Sequence, residues 1–88
     1  MKIIKIGAIW CPGCLVIKKS IEKIKSNYPE IDLKELDLDF DEEEVKQYNV
    51  GDVLPVLIFY KDNEEYTRLI GESKYEDMER VIKEINEK

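Results

Sequence analysis

Histidine is absent from this chain of 88 residues. Without an imidazole, neither Ser-His nor Cys-His nucleophilic pairs nor histidine-ligated metal sites can form within it. Cysteine occurs only twice, which is too few for a disulfide framework or for the four ligands of a structural zinc site. Long apolar runs are missing as well, so we expect no transmembrane helix.

The charge balance is acidic, with a formal net charge of -6. Neither nucleic acid nor an anionic membrane is therefore an expected partner. The first residues, Met1 to Lys5, lack the apolar region of a signal peptide, so we expect a cytoplasmic protein. The composition, 43% hydrophobic and 39% charged, is typical of a globular chain and predicts one small domain over residues 1–88, which we expect to be a monomer.

Both cysteines lie in one short motif, Trp10 to Cys14, between an apolar run and a helical pattern. Pro12 suits the first position of a helix, where its missing N–H is not needed. The unpaired N–H groups and the partial positive charge of a helix N-terminus favour the thiolate of Cys11. Gly13 leaves room for the backbone of a partner. Cys14 lies three residues after Cys11, on the same side of the helix, which allows a reversible disulfide.

This dithiol predicts thiol–disulfide exchange, in which Cys11 attacks a partner disulfide and Cys14 resolves the mixed disulfide. The Cys11–Cys14 disulfide is then the redox group, and we expect no other cofactor and no metal. A purely structural bridge is disfavoured because so short a loop constrains the unfolded chain little. A Cu(I) or zinc carrier remains an alternative, since soft thiolates select Cu(I). Such carriers usually place Met two residues before the first cysteine, where this chain has Ile9.

The hydrophobic periodicity predicts the order β-α-β-α-β-β-α. This order describes an α/β fold with a four-stranded mixed sheet and helices on both faces. Ser73, followed three residues later by Glu76, predicts a capping box at the start of the last helix. The predicted strands cover residues 2–8, 31–38, 56–60 and 65–70, and the predicted helices cover residues 12–27, 41–48 and 74–86.

Three motifs together resemble the thioredoxin superfamily. They are the Trp-Cys-x-x-Cys motif of Trp10 to Cys14 after the first strand, Pro55 at the position of a cis-proline before the third strand, and Gly71 after the hairpin. The resemblance covers nearly the whole chain, which is similar to a minimal thioredoxin- or glutaredoxin-like protein. It implies a thioredoxin-like fold, protein disulfides as substrates, and a thioredoxin-reductase-like electron donor.

The same resemblance implies a substrate-binding surface around the dithiol. Trp10 is expected to form an apolar docking surface with Ile9 and Leu54. If the bond before Pro55 is cis, the backbone of Leu54 lies open beside Cys11. It then pairs with an extended partner segment, as a strand adds to a sheet edge. The substrate-binding residues that the resemblance implies are Trp10, Pro12, Gly13, Leu54, Pro55 and Gly71.

The residues between and around the cysteines depart from both branches of this superfamily. The dipeptide is Pro12-Gly13 here and Gly-Pro in typical thioredoxins, whereas Pro directly after the first cysteine is usual in glutaredoxins. Glutaredoxins hold glutathione with Thr-Val-Pro and with Gly-Gly followed by Asp. This chain has Val53-Leu54-Pro55 and Gly71-Glu72-Ser73 at those sites. Protein disulfides are therefore the favoured substrates, and a glutathione-dependent enzyme is the alternative.

A second departure concerns the charge behind the dithiol. Thioredoxins carry a buried Asp six residues before the first cysteine, paired with a Lys of the next strand. At these positions the chain has Lys5 and Glu35, so the charges are exchanged. The hypothesis is a buried ion pair in which Glu35 accepts the proton of Cys14 through water, with Lys5 as its partner. The alternative is that Lys5 extends to the strand end and Glu35 is exposed.

Overall fold

The secondary structure follows the predicted order of elements in a computed structural model that describes residues 1–8 and 11–87. The strands are β1 (Lys2–Gly7), β2 (Asp32–Asp37), β3 (Val56–Lys61) and β4 (Glu64–Ile70). The helices are α1 (Pro12–Val16), α2 (Lys18–Asn27), α3 (Glu42–Val45), which a 3₁₀ turn (Lys46–Tyr48) extends, and α4 (Tyr75–Asn86). None of the helices in these ranges has the length and apolar character needed to cross a membrane.

The four strands form one mixed sheet in the order β2-β1-β3-β4. β1 runs parallel to β2, and α1 with α2 supplies the crossover that a parallel connection requires. β3 runs antiparallel to both β1 and β4. Asp62 and Asn63 form the tight turn between β3 and β4, and both have the positive φ that such two-residue turns need. The predicted α/β fold with a four-stranded mixed sheet is confirmed.

One face of the sheet packs against α2 and α4. Ile3 of β1 and both Leu57 and Phe59 of β3 point to this side, because alternate residues of a strand face opposite ways. The apolar residues of the helices meet them at intervals of three and four, which places one stripe of each helix on the sheet. The helical side of this cluster consists of Ile17, Ile21, Ile24, Met78, Val81, Ile82 and Ile85.

The other face of the sheet is covered by α3 and the loop that follows it. Ile4 and Ile6 of β1 and Ile58 of β3 pack there against Val45 of α3. Both faces of β1 and β3 are therefore buried, which explains why these two strands are continuous apolar runs instead of alternating ones. The carboxyl end of β1 is held between the two layers, and the cysteine motif follows directly from it.

The long first helix predicted over residues 12–27 is divided at Ile17. Ile17 has φ -81° and ψ -6°, and it ends α1 before α2 begins at Lys18. Its side chain is buried in the same cluster as those of Ile21 and Ile24. The apolar spacing continues across the break. Hydrophobic periodicity therefore cannot predict the helix break at Ile17, which involves a change in one ψ angle.

The predicted capping box at Ser73 and Glu76 is wrong by one residue. The N-cap of α4 is Lys74, and its backbone N–H donates to Asp77 Oδ2 at 3.1 Å. Two acidic residues stand side by side, so the sequence offers two overlapping pairs with the same spacing. The capping box forms with the carboxylate that accepts from the N-cap N–H, and in this structure that carboxylate belongs to Asp77.

We predict that replacing Phe59 with Ala lowers the free energy of unfolding by about 3–5 kcal/mol, because a fully buried ring leaves a cavity. Phe40→Ala is the matched control, since the Phe40 side chain is 77% exposed, and it should change stability by less than about 0.5 kcal/mol. Urea unfolding of both variants measures the difference. Equal losses in the two variants would contradict the assignment of the core.

Candidate active site

Cys11 lies at the N-cap of α1, immediately before Pro12 in the first helical position. Its φ of -87° and ψ of 112° are extended, and its backbone N–H donates to the Ala8 carbonyl at 3.1 Å. Cys11 Sγ accepts a hydrogen bond from the backbone N–H of Cys14 at 3.3 Å. The sulfur thus occupies the place of a capping oxygen at the helix N-terminus. The predicted position of Cys11 at a helix start is confirmed.

Cys14 is buried directly against the end of β1. An ideal Cβ built on Gly7 would lie only 2.8 Å from Cys14 Sγ, so a side chain at residue 7 does not fit without displacing the thiol. Cys11 and Cys14 are 4% and 5% exposed, and both are free thiols. With Ala8 they form a small apolar cluster, against which Leu38 and Leu54 pack.

The predicted substrate-binding residues that the structure describes meet beside this cluster. The Leu54–Pro55 bond is cis, and the Gly71 N–H donates to the Pro55 carbonyl at 2.8 Å. Gly71 has φ +87°, a conformation that favours glycine. The Pro55 ring also approaches α1, since its Cδ lies 3.2 Å from an ideal Cβ on Gly13. Pro12 is exposed next to them.

Trp10 lies outside the described residues, as does Ile9. Their part in an apolar docking surface therefore stays a prediction. Leu54, the third residue of that predicted surface, is partly buried against the dithiol.

A cleft of about 520 Å³ opens beside Cys14, and Lys5 and Glu35 are among the residues that line it. These two residues are register partners in the β1–β2 pair, as the sequence predicts. The prediction that they form a buried ion pair is wrong. The Glu35 side chain is 48% exposed and pairs with Lys25 Nζ at 3.3 Å, and no ion pair within the described chain joins it to Lys5. β2 is an edge strand, so α2 reaches Glu35 at the rim of the sheet.

A family comparison agrees with this geometry. The model of the family described as Thioredoxin matches residues 1–84 of the chain. The chain belongs to the thioredoxin family. The match extends over both cysteines, the cis-proline and most of α4, and so covers every element of the site described above.

Individual thioredoxins are similar to this chain in sequence and in structure. Thioredoxin H5 of Oryza sativa subsp. japonica is 33% identical over 84 residues, which are 96% of this chain and 61% of the relative. Thioredoxin-2 of Saccharomyces cerevisiae is 38% identical over 64 residues, 73% of this chain and 61% of the relative. The chain thus spans about three fifths of the length of these curated relatives. The X-ray structure of Fasciola hepatica thioredoxin superposes with a TM-score of 0.84 at 25% identity, covering 94% of this chain and 78% of that one.

Burial keeps the Cys14 thiol of this thioredoxin-family site in its neutral form. Removal from water raises the pKa of Cys14 from 9.0 to about 11, and the hydrogen bond and the charge of Cys11 act in the same direction. A backbone hydrogen bond of Ala8 and the positive charge of Lys5 oppose that rise. Cys14 is therefore a protonated thiol at neutral pH, and it must lose its proton before it can attack a disulfide.

Sequence reasoning missed three residues of the site. Gly7 is one of them, although a glycine inside a strand pattern is a known signal of close approach by another group. Leu38 packs on the dithiol because β2 ends beside β1, and no local pattern distinguishes it from other apolar residues. Glu72 lies against Gly13 from the far end of the chain, with Cγ 3.0 Å from an ideal Cβ there. Its acidic side chain directly after Gly71 gives no local signal of that contact.

We predict that Cys14 of the reduced protein titrates with a midpoint near pH 11, well above its ordinary value. Because the folded-state pKa is raised, Cys14 contributes stability that is present below about pH 9 and lost as the pH rises through 11. Carbon-13 NMR of cysteine Cβ measures the titration, and urea unfolding at several pH values measures the loss against a Cys14→Ser control. A midpoint at or below pH 9 would contradict burial as the dominant influence.

Proposed function

We propose that this chain is a thiol–disulfide oxidoreductase that reduces protein disulfides through Cys11 and Cys14. One observation carries the proposal: Cys11 Sγ caps the N-terminus of α1, while Cys14, three residues later, is a buried thiol in the same cluster. Cys11 is thereby placed to attack the substrate disulfide, and Cys14 is kept as a neutral thiol for the second step. Membership of the thioredoxin family supports this division of roles.

The reaction takes place in two exchanges. The Cys11 thiolate attacks one sulfur of the substrate disulfide, which forms a mixed disulfide and releases the other substrate sulfur as a thiolate that takes up a proton. Cys14 then loses its proton and attacks Cys11 Sγ. This step releases the second substrate thiol and closes the Cys11–Cys14 disulfide. Two electrons pass from the dithiol to the substrate, and of the two protons that the substrate takes up, one comes from Cys14 and the other from solvent.

The segment at Leu54 supplies a place for the substrate chain. Leu54 packs against the cluster of Ala8 and the two cysteines, and its backbone N–H and carbonyl make no hydrogen bond to any other residue in the described ranges. An extended segment of the substrate can satisfy these groups in the manner of an added strand. This pairing would hold the substrate disulfide next to Cys11, while Pro12 and Gly71 border the same surface.

The oxidised protein requires an electron donor, for which we propose a thioredoxin-reductase-like protein in the cytoplasm. The two alternatives that the sequence leaves open gain no support from the site. The residues at the two glutathione-holding positions remain Val53-Leu54-Pro55 and Gly71-Glu72-Ser73. For a metal carrier, the parts of the chain that the structure covers contain no group of three or more acidic, cysteine or histidine ligands around one point.

Glu35 is the proposed acceptor of the Cys14 proton, although it does not belong to a buried pair. It lines the same cleft as Cys14, and water in that cleft can connect the two groups. Lys5 lines the cleft on the same strand as Gly7, and its charge lowers the pKa of Cys14. Lys5 thus stabilises the thiolate that forms when the proton leaves.

We expect Cys11→Ser to abolish the reduction of insulin disulfides with dithiothreitol as donor, because the attacking sulfur is gone. Cys14→Ser should retain the attack and accumulate a mixed disulfide at Cys11, since no thiol remains to resolve it. Insulin turbidity measures the first result, and mass spectrometry of the trapped adduct measures the second. Reduction by the Cys11→Ser protein, or the lack of any adduct with Cys14→Ser, would refute the assigned roles.

We expect Glu35→Gln to slow the resolution of a preformed mixed disulfide roughly 10- to 100-fold at pH 7, because the proton acceptor is lost. Glu22→Gln is the matched control, since Glu22 lines the same cleft from α2 and carries the same charge. Single-turnover release of a fluorescent thiol measures the rate. Resolution at the wild-type rate across the pH range would remove Glu35 from the mechanism.

A further inference from the structure

The space above Gly13 is occupied by Glu72. An ideal Cβ on Gly13 would lie 3.0 Å from Glu72 Cγ, 3.3 Å from Glu72 Oε1 and 3.2 Å from Pro55 Cδ. The absence of a side chain at residue 13 therefore allows a carboxylate to lie across the loop between the two cysteines. Glu72 is exposed to solvent on its other side, so its charge faces an approaching molecule.

The Glu72 carboxylate has no partner in the described part of the chain, where no ion pair or hydrogen bond engages it. Two other acidic side chains of the same region of sequence are bound. Glu65 binds the Arg68 guanidinium through both oxygens, and Glu79 accepts hydrogen bonds from the hydroxyl groups of Tyr28 and Tyr75. Glu72 is thus a carboxylate near the dithiol that no cation of the described residues neutralises.

The position of Glu72 is on the path of a substrate. Leu54 contacts the cysteines, and Pro55, the next residue, contacts the same Gly13 position as Glu72. A chain that pairs with Leu54 and brings its sulfur to Cys11 must pass close to Glu72. A charge on that chain will interact with the carboxylate at short range, where screening by salt is weakest.

We propose that Glu72 determines substrate specificity by charge: it favours protein disulfides that have a lysine or arginine beside the attacked cysteine and disfavours disulfides with acidic neighbours. This inference rests on the proposed function and names the substrate class of the same site. Glutathione disulfide, which carries more carboxylates than ammonium groups, falls in the disfavoured class. Electrostatic matching of this kind selects partners more than it adds affinity.

The test compares three synthetic peptides that share one intramolecular disulfide and differ only in the residue beside the attacked cysteine, which is Lys, Gln or Glu. We expect the wild-type protein to reduce the Lys peptide with a kcat/KM about fivefold higher than that of the Glu peptide at low ionic strength. In Glu72→Gln this ratio should fall below about twofold, and in Glu72→Lys it should invert. Raising the ionic strength to roughly 0.5 M should reduce the wild-type ratio toward one.

Two further variants complete the experiment. Glu64→Gln removes the same charge from an exposed carboxylate at the opposite end of β4, and it should keep the wild-type ratio. Gly13→Ala retains all charges, and its Cβ requires Glu72 and Pro55 to give way by only a few tenths of an ångström, so the ratio should stay close to that of the wild type. An equal rate for all three peptides in the wild type, or equal ratios in Glu72→Gln and wild type, would overturn the charge selection alone. No reduction of any peptide would overturn the proposed function with it.

Discussion

The hydrogen bond from the Cys14 N–H to Cys11 Sγ is the contact on which the site depends. It places the sulfur of Cys11 at the N-cap of α1, where a side-chain oxygen usually accepts this bond. The same bond fixes the distance between the two cysteines along the first turn. Because the Ala8 carbonyl also holds the Cys11 N–H, the turn is anchored to the end of β1, the central strand. The position of the dithiol is thereby fixed relative to the sheet.

Two glycines allow the groups around the dithiol to come close. Gly7 lets Cys14 Sγ lie against the backbone of β1, where burial raises the pKa of the thiol and it keeps its proton. Gly13 lets the Pro55 ring and the Glu72 side chain approach the loop between the cysteines. The first glycine governs the chemistry of the resolving thiol, and the second shapes the surface that a substrate meets. Neither role requires a positive φ; both require the absence of a Cβ.

The charged side chains around the site do not form a single buried ion pair but lie at separate places. Lys5 acts on Cys14 from the cleft, whereas Glu35 lies at the rim and pairs with Lys25 of α2. Glu72 lies against Gly13, and within the ranges that the structure describes no cation pairs with it. The two proposals, proton transfer and substrate selection, thus concern different carboxylates in different parts of the fold. Because both carboxylates reach solvent, salt weakens their influence and the protein fold does not depend on them.

The sequence by itself determined the elements of this protein and the centre of its chemistry. Alternation and three-to-four spacing mark the strands and helices, and Cys-Pro-Gly-Cys marks a helix start, because these patterns are local and repeat with the backbone. Only the tertiary structure decided that Gly7 faces Cys14, that Glu35 pairs with Lys25, and that Glu72 covers Gly13. The two residues in the last contact are 59 positions apart in the chain. Such contacts depend on strand register and helix packing, which bring distant residues together without leaving a local pattern.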